Sequence, residues 1–312
     1  MRIENRRIVN RKLINKTIVE DDKKGLFLTD SNLNLIEKLG FDDFRLLDFA
    51  PNGNIVLLNS KKWLTIRNAN KTKLTAFDIS TNKQLFSIDK FLAYRSFIDK
   101  TSQFFLLEYY GGLCSININN GEVIFRKDKI DKSLYNADLH IESNVVYIPT
   151  EKKSLLTFDF NEQKISELKL EKTGGTTWLK FNNSQSCLLI SDKKNSLHCF
   201  EHNNFTNPIW TINFSKLKKD NRIWCYNILT TESNLGCIHG FTPASDQNAN
   251  AGGTLYIFNI DNGEIIDTYD YSNSKEKIVT DFKKDEIIID DLTSFSLTSK
   301  TIKQTQITEL LK

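Results

Sequence analysis

Hydrophobic and polar residues alternate along the chain in short runs, a pattern that predicts β-strands. The clearest example is the segment 253–271, GTLYIFNIDNGEIIDTYDY, in which two alternating runs flank Asp261-Asn262-Gly263. Asn-Gly between runs of β-branched and aromatic residues indicates a hairpin with a type I′ turn, whose two central residues both need positive φ. The sequence has no helical periodicity longer than a turn or two, so we expect an all-β chain.

The same hairpin recurs along most of the sequence. Each copy has an apolar residue followed by a small or acidic polar one, as in Phe77-Asp78 and Phe258-Asn259, and these pairs recur at spacings of 39, 42, 42, 58 and 37 residues. A period near 40 with four strands per period is typical of β-propeller blades. The other copies lie at Leu74 to Ile88, Gly112 to Phe125, Ser154 to Leu168, Ser196 to Phe214 and Leu292 to Ile307.

The repeat predicts one seven-bladed β-propeller domain over residues 1–312, with four antiparallel strands in each blade. Six or eight blades are the alternatives. We expect the strands of blade 1 at Arg7 to Leu13, Thr17 to Glu20, Gly25 to Thr29 and Leu33 to Leu39. The other blades should begin near Phe44, Leu92, Tyr135, Trp178, Arg222 and Lys277. The last blade supplies its own fourth strand, and the alternative is that Arg7 to Leu13 closes the ring.

Two insertions interrupt the regular spacing. Ser60 to Thr72 precedes the third strand of blade 2, and Phe241 to Gly252 precedes the third strand of blade 6. Both leave a second strand and enter a third, so they should emerge on the same side of a propeller. Insertions on a regular scaffold are common places for binding residues.

The repeated pattern apolar-x-[Phe/Ile]-[Asp/Asn]-x-x-x-Gly-[Glu/Lys]-apolar resembles the repeat of the quinoprotein and WD40-like propeller superfamily. This resemblance implies a propeller fold. Quinoprotein dehydrogenases also carry a closing Trp, a Thr-Gly pair in the turn, vicinal cysteines and a bound calcium ion. Here Trp210 alone falls at the Trp position, and the Gly-His and Trp-Asp dipeptides of WD40 blades are missing. The resemblance therefore does not imply the cofactor chemistry.

Composition and the first residues set the expected compartment. The sequence is 39% hydrophobic and 11% aromatic, which is enough for a core. The basic start, MRIENRRIVNRKLINK, has no apolar run of signal-peptide or membrane-span length, so we expect a cytoplasmic monomer without a membrane partner.

The cysteines are odd in number and lie mostly in predicted strands, so we expect buried, reduced thiols. They are Cys114, Cys187, Cys199, Cys225 and Cys237.

No set of residues forms a recognisable catalytic or metal site. His198 and His202 are four apart on a strand and turn, where that spacing does not converge on a metal. Cys225, Cys237 and His239 belong to one strand pair but lack a fourth ligand. No nucleophile elbow, Walker loop or dinucleotide fingerprint occurs. We expect no catalytic residue, no metal and no cofactor; an enzyme with a site in the central channel is the alternative.

Charge is distributed unevenly between the two ends of the predicted strands. Connections from a strand 2 to a strand 3, or from a strand 4 to the next blade, are rich in lysine. The 1-to-2 and 3-to-4 connections are neutral or acidic, as at Glu142-Ser143-Asn144 and Asp261-Asn262-Gly263. A basic face can steer an acidic ligand even when the whole chain carries only +3. The alternative is that these lysines serve solubility.

This face predicts an interaction module that binds an acidic protein, as a scaffold, an inhibitor or a toxin-immunity protein. Aromatic and arginine residues of the insertions should anchor the partner, because interface energy concentrates in such side chains. Nucleic acid is the less favoured partner, since stacking aromatics are few and lysine outnumbers arginine there. The predicted partner-binding residues are Lys61, Lys62, Trp63, Arg67, Lys218, Lys219 and Phe241.

Overall fold

A computed structural model describes most of the chain as strands and short connections. The described residues are 6–13, 16–21, 25–30, 35–41, 43–49, 54–60, 72–109, 112–130, 134–217, 228–230, 234–242, 252–271, 281–283, 286–290, 293–296 and 302–304. The chain divides into two compact units. Unit 1 comprises residues 1–134 and 306–312, and unit 2 comprises residues 135–305.

Within its described residues, unit 1 holds three antiparallel sheets of four strands each, in consecutive order. Sheet 1 contains β1 (Arg6–Leu13), β2 (Lys16–Asp21), β3 (Gly25–Asp30) and β4 (Leu35–Gly40). Sheet 2 contains β5 (Phe44–Phe49), β6 (Ile55–Ser60), β7 (Lys73–Asp78) and β8 (Lys83–Asp89). Sheet 3 contains β9 (Ala93–Ile98), β10 (Phe104–Tyr109), β11 (Gly112–Asn117) and β12 (Val123–Asp128).

Unit 2 holds four more four-stranded sheets within its described residues. Sheet 4 contains β13 (Asp138–His140), β14 (Val145–Pro149), β15 (Ser154–Asp159) and β16 (Lys164–Lys169). Sheet 5 contains β17 (Thr176–Phe181), β18 (Cys187–Asp192), β19 (Ser196–Glu201) and β20 (Trp210–Asn213). Sheet 6 contains β21 (Ile228–Thr230), β22 (Leu235–Thr242), β23 (Gly252–Asn259) and β24 (Ile265–Tyr271). Sheet 7 contains β25 (Asp281–Lys283), β26 (Glu286–Asp290), β27 (Thr293–Ser296) and β28 (Ile302–Gln304).

The strands expected from the repeat are present where the structure describes the chain, and one of them begins later than expected. A 3-10 turn, Leu134–Asn136, occupies the place where Tyr135 was expected to start a strand, and β13 begins at Asp138. The strand β1 pairs with β2 and β28 pairs with β27, so the first and last sheets each contain four consecutive strands. The alternative in which Arg7 to Leu13 completes the last blade is therefore wrong. The expected starts of blade 6 at Arg222 and of blade 7 at Lys277 lie outside the described residues.

In sheets 2 to 5 the second strands are buried on both faces, which explains their continuous apolar runs. On β6, Leu57 packs into a core with residues of sheet 3, whereas Val56 and Leu58 pack into a core with Leu26 of sheet 1. On β18, Leu189 packs toward sheet 6, and its neighbours on either side pack toward sheet 4. A strand covered on both faces loses the alternation that a half-exposed strand shows. Successive sheets in each unit therefore stack face to face.

Within a sheet, the strands become more exposed from the first strand to the fourth. First strands of neighbouring sheets contact one another, β5 with β9 in unit 1 and β13 with β17, β17 with β21 and β21 with β25 in unit 2. Fourth strands are mostly exposed, as the burial of β12 and β16 shows. Such sheets, with strand 1 innermost and strand 4 outermost, are the units from which a propeller is built.

The repeated Asp or Asn after the apolar residue caps the hairpin between strands 3 and 4. In four sheets its side-chain oxygen accepts the N–H of the residue two positions on, at 2.7 to 2.9 Å. This is an Asx turn, which substitutes a side chain for a backbone acceptor. The acceptors are Asp78, Asn117, Asp159 and Asn259, and the donors are Ser80, Asn119, Asn161 and Asp261.

The prediction of a type I′ turn at Asn262-Gly263 is wrong. Ile260 is buried and donates its N–H to the carbonyl of Asn234, so it belongs to the core and the loop has four residues, 260–263. Within this described loop positive φ is confined to Gly263, at 73°. Gly263 also donates its N–H to the Asn259 carbonyl at 2.9 Å. A single left-handed residue closes the turn, and a register shift follows in the adjoining strands.

A glycine is also required at position 263 because the side chain of Trp210 packs directly over it. The ring of Trp210 on β20 lies over it, and a Cβ on Gly263 would come within 2.7 Å of that ring. Trp210 donates its Nε1–H to the Ile260 carbonyl at 2.8 Å and packs edge-on against Phe258. This contact joins the outer strand of sheet 5 to the hairpin of sheet 6.

Candidate partner-binding face

The seven predicted partner-binding residues lie almost entirely outside the described part of the chain. Lys61, Lys62, Trp63 and Arg67 belong to the connection 61–72 between β6 and β7. Lys218 and Lys219 follow the single helical turn α1 (Phe214–Leu217). Phe241 lies on β22, where it pairs with Gly253. The contacts of all seven side chains stay a prediction.

The topology of the two insertions agrees with the sequence. Both connect the second strand of a sheet to its third, β6 to β7 and β22 to β23. Pairing of Thr242 with Gly252 extends the β22–β23 hairpin, so the second insertion narrows to residues 243–251. In strand order, each insertion takes the same place in its sheet as the β14–β15 and β18–β19 turns take in sheets 4 and 5.

Three connections of sheets 4 and 5 form what we call the lysine-bearing end of unit 2. They are the β14–β15 turn (150–153), the β16–β17 connection (170–175) and the β18–β19 turn (193–195). Backbone hydrogen bonds join all three: Glu151 N–H donates to the Thr176 carbonyl, Thr176 N–H donates to the Lys152 carbonyl, and Lys193 N–H donates to the Gly175 carbonyl, each at 2.9 Å. Backbone hydrogen bonds therefore hold the lysine-bearing end in place, although it consists of turns.

Asp192 is the centre of this network. Its Oδ1 accepts the N–H groups of Lys194 and Ser196, both at 2.9 Å. Its Oδ2 accepts the N–H of Gly174 at 2.7 Å and faces Nε2 of His198 at 3.0 Å. Burial raises the pKa of Asp192, but these hydrogen bonds outweigh burial and hold the pKa below its usual value of 3.8. One buried carboxylate thus ties the β18–β19 turn to the β16–β17 connection.

The pair Gly174-Gly175 serves this packing. The N–H of Gly174 is donated to Asp192, and a Cβ on Gly174 would lie 2.6 Å from Cγ of Lys194. Gly175 has φ of 110°, and a Cβ there would lie 2.8 Å from the Glu151 carbonyl oxygen. Both glycines are needed because the connection passes directly between the two lysine-bearing turns.

The exposed charges of this end are mainly positive. Lys193 forms an ion pair with Glu151, with Nζ and Oε2 separated by 2.7 Å. Within the described part of the chain, the other lysines of these connections form no ion pair. They are Lys152, Lys153, Lys172 and Lys194, joined by Lys216 on α1.

The other end of sheets 4 to 6 carries exposed acidic side chains. Glu142 lies in the β13–β14 turn, Glu162 in the β15–β16 turn, and Asp261 and Glu264 in the β23–β24 hairpin. In sheets 4 and 5 the sign of the exposed charge therefore changes from one end to the other, as the sequence predicted.

Two stacked histidines at the acidic end were missed by the sequence analysis. The rings of His140 and His202 lie 3.6 Å apart and nearly parallel. His140 Nδ1 accepts the Ser143 N–H, so its hydrogen lies on Nε2 and is donated to the Gln185 carbonyl. Burial lowers the pKa of His202. The signal was in the repeat: other sheets have Ile79, Ile118, Phe160 and Ile260 at the position of His202.

His140 has a structural role that its equivalents share. At the equivalent position, where strand 1 meets the 1-to-2 turn, Asp99 accepts the N–H groups of Gln103 and Phe104, and Asn182 accepts that of Cys187. Each side chain thus satisfies the backbone of a 1-to-2 turn. The histidine stack is therefore a variant of packing found elsewhere in the chain.

Sheet 5 also contains a Thr-His-Asp chain. His198 contacts Thr211 through Nδ1 and Asp192 through Nε2, each at 3.0 Å. The order resembles a nucleophile, a base and an acid. Asp192, however, also accepts three backbone N–H groups of the surrounding connections. We therefore interpret the chain of bonds as an anchor of the turn.

In unit 1, the end of sheet 3 carries a related polar cluster. The Tyr109 hydroxyl donates to Asp128, whose Oδ1 also accepts from Nε of Arg126 at 3.0 Å. The Arg126 guanidinium lies over the Tyr109 ring, 4.9 Å from its centroid. Burial and the bond to Asp128 raise the pKa of Tyr109 to about 12.

Cysteines and metal ligands add little to the site. The four described cysteines, Cys114, Cys187, Cys199 and Cys237, are buried free thiols, and Cys225 lies outside the described residues. Among described residues no group of three or more His, Cys, Asp or Glu side chains is arranged to hold a metal ion. The described helical segments include none with the length and apolar character of a membrane span.

These four-stranded antiparallel sheets are those of a β-propeller fold, as the repeat predicted. The chain is similar to the β-propeller domain of Cps50 (Swd1) from Myceliophteria thermophila, with a TM-score of 0.64, 11% identity and coverage of 96% of each chain. It is also similar to the computationally designed Ika8 protein, with a TM-score of 0.57, 13% identity and coverage of 95% of this chain and 81% of the other. No family model and no curated protein matches the chain. At these identities the likeness shows the fold alone.

Proposed function

We propose that residues 1–312 form one seven-bladed propeller that acts as a non-catalytic interaction module in the cytoplasm. It binds an acidic protein through the face that carries the 2-to-3 and 4-to-1 connections. As a scaffold, an inhibitor or an immunity protein, it needs a rigid, charged surface and no reacting group.

The change of charge along sheets 4 and 5 carries this proposal. Lys152, Lys153 and Lys194 are exposed at one end, and Glu142 and Glu162 are exposed at the other. Charge complementarity of this kind sets partner choice and association rate more than affinity. Propeller folds also mediate protein interaction commonly, which supports a scaffold.

Affinity on this face is assigned to the insertions 61–72 and 243–251. In one ring both would emerge on the same side, because both connect a second strand to a third. Trp63, Arg67 and Phe241 at or beside the insertions supply the side-chain types that dominate interface energy. The lysines Lys61, Lys62, Lys218 and Lys219 would set the salt dependence.

The test uses the full-length chain. Partners are captured from native lysate, identified by cross-linking and mass spectrometry, and their affinities are then measured for Trp63→Ala and for charge reversal of Lys61, Lys62, Lys218 and Lys219. We expect both variants to bind the main partner at least about tenfold more weakly while keeping the wild-type melting temperature. Unchanged affinity in both variants, or capture dominated by nucleic acid, would contradict the proposal.

A further inference from the structure

The lysine-bearing end of unit 2 has a geometry that surface lysines do not usually have. Lys152 and Lys153 lie on one turn, and Lys193 and Lys194 lie on another. The carbonyls of Lys152 and Lys153 accept the N–H groups of Thr176 and Leu170, at 2.9 and 2.8 Å. Both lysine pairs therefore flank the single connection 170–175 and cannot move apart independently.

The stem of Lys194 is also held against the connection. A Cβ on Gly174 would lie 2.6 Å from Cγ of Lys194, whereas a Cβ on Gly175 would lie 3.6 Å from Cδ of Lys193, an ordinary contact distance. Hydrogen-bonded neighbouring backbones are about 5 Å apart, so the two lysine-bearing turns lie about 10 Å apart across the connection. An extended acidic segment can present carboxylates to both turns at once, since three residues of extended chain span about 10 Å.

Lys193 differs from the other three lysines because it is already paired. Its Nζ lies 2.7 Å from Oε2 of Glu151, and both side chains are about half exposed or more, at 49% and 66%. Glu151 is itself a carboxylate at the centre of the lysine group. It occupies the place that an external carboxylate would take.

We infer that Lys152, Lys153 and Lys194 form a preorganised receptor for a carboxylate-rich peptide segment, and that Glu151 is an internal competitor that holds Lys193. This inference rests on the proposed function, because it names where and how an acidic partner is read. Preorganisation matters because the backbone of both turns is already ordered, so binding orders only side chains.

The sheet offers a matched control. Lys164 lies in the same sheet as Lys152, is exposed, and forms no ion pair among the described residues, but it starts β16 at the acidic end. Lys152→Glu and Lys164→Glu change the net charge of the chain equally. A difference in peptide affinity between the two variants therefore reports the position of the charge and not the total charge.

The probe is a fluorescein-labelled peptide of alternating Glu and Ser, with a labelled oligothymidylate of equal charge for comparison. Fluorescence anisotropy with the full-length chain at low salt should show tighter binding of the peptide. We expect Lys152→Glu and Lys194→Glu each to weaken peptide binding about tenfold and Lys164→Glu to leave it unchanged. Glu151→Gln should strengthen binding about threefold by releasing Lys193. Melting temperatures establish that each variant is folded.

Three results would overturn the inference. They are equal weakening by Lys152→Glu and Lys164→Glu, unchanged or weaker binding by Glu151→Gln, and tighter binding of the oligothymidylate than of the peptide. Failure here is distinguishable from failure of the proposed function. If the captured partner depends on Trp63 but not on Lys152 or Lys194, the interaction module stands and this receptor does not.

Discussion

Replacing Asp192 with asparagine tests whether one carboxylate holds the lysine-bearing end together. The carboxylate has two oxygens, and each accepts from two donors. In Asp192→Asn the remaining oxygen can still accept the N–H groups of Lys194 and Ser196. The new NH₂ group then faces the N–H of Gly174 and Nε2 of His198.

The structure gives the size of the expected effect. His198 can change tautomer, accept from the amide at Nε2 and donate to Thr211 from Nδ1, so that contact is retained. The N–H of Gly174 can only donate, so in the variant it faces the NH₂ group of the asparagine and has no acceptor. Loss of a hydrogen bond to a charged group, together with an unsatisfied buried donor, costs about 3 kcal/mol. We expect the free energy of unfolding to fall by about that amount.

The pH dependence supplies a second, independent signature. Because the folded-state pKa of Asp192 lies below 3.8, the carboxylate contributes stability that is present above the unfolded-state pKa and is lost as pH falls through the folded-state pKa. Asp192→Asn lacks this contribution at every pH. The difference in stability between wild type and variant should therefore shrink as the pH falls below 3.8.

Urea unfolding followed by tryptophan fluorescence measures the loss in free energy of unfolding caused by Asp192→Asn. Hydrogen exchange of residues 192–196 shows whether the loss is local to this turn. Asp78→Asn is the matched control: Asp78 uses one oxygen, Oδ1, to accept the N–H groups of Ser80 and Thr81, and the asparagine oxygen can accept the same two N–H groups. A deficit under about 0.5 kcal/mol for Asp192→Asn, or one that grows in acid, would refute the reasoning.

Two further predictions concern other contacts. Tyr109, whose pKa is raised to about 12, contributes stability that is complete below pH 10 and lost toward pH 12. Difference absorbance titration against Tyr109→Phe should show this pKa, and Asp128→Asn should lower it toward 10; an unchanged value would contradict the assigned cause. Gly263→Ala should cost about 2 kcal/mol, from positive φ and the clash with Trp210. In a Trp210→Ala background the cost should fall by about half, and equal costs in both backgrounds would exclude the clash.

The candidate site shows where sequence reasoning is strong and where it stops. Lysine-rich 2-to-3 connections could be predicted, because strand order decides which end of a sheet a connection reaches. The pair Lys193 and Glu151 could not, because its members come from different sheets, 42 residues apart. The anchoring role of Asp192 was also hidden, since its partner Gly174 reaches it through a connection from the preceding sheet.

The sequence by itself determined the strands, their pairing and the capped hairpins. Alternation, an Asp or Asn such as Asp159 at the end of the third strand in four sheets, and a regular period act locally, within one sheet of about 40 residues. Only the tertiary structure decided the loop at Gly263, the stack of His140 on His202 and the order of the lysine-bearing turns. The reason is physical: burial of Ile260 moves it from the strand into the core, and contacts between neighbouring sheets place the side chains that a single hairpin leaves unspecified.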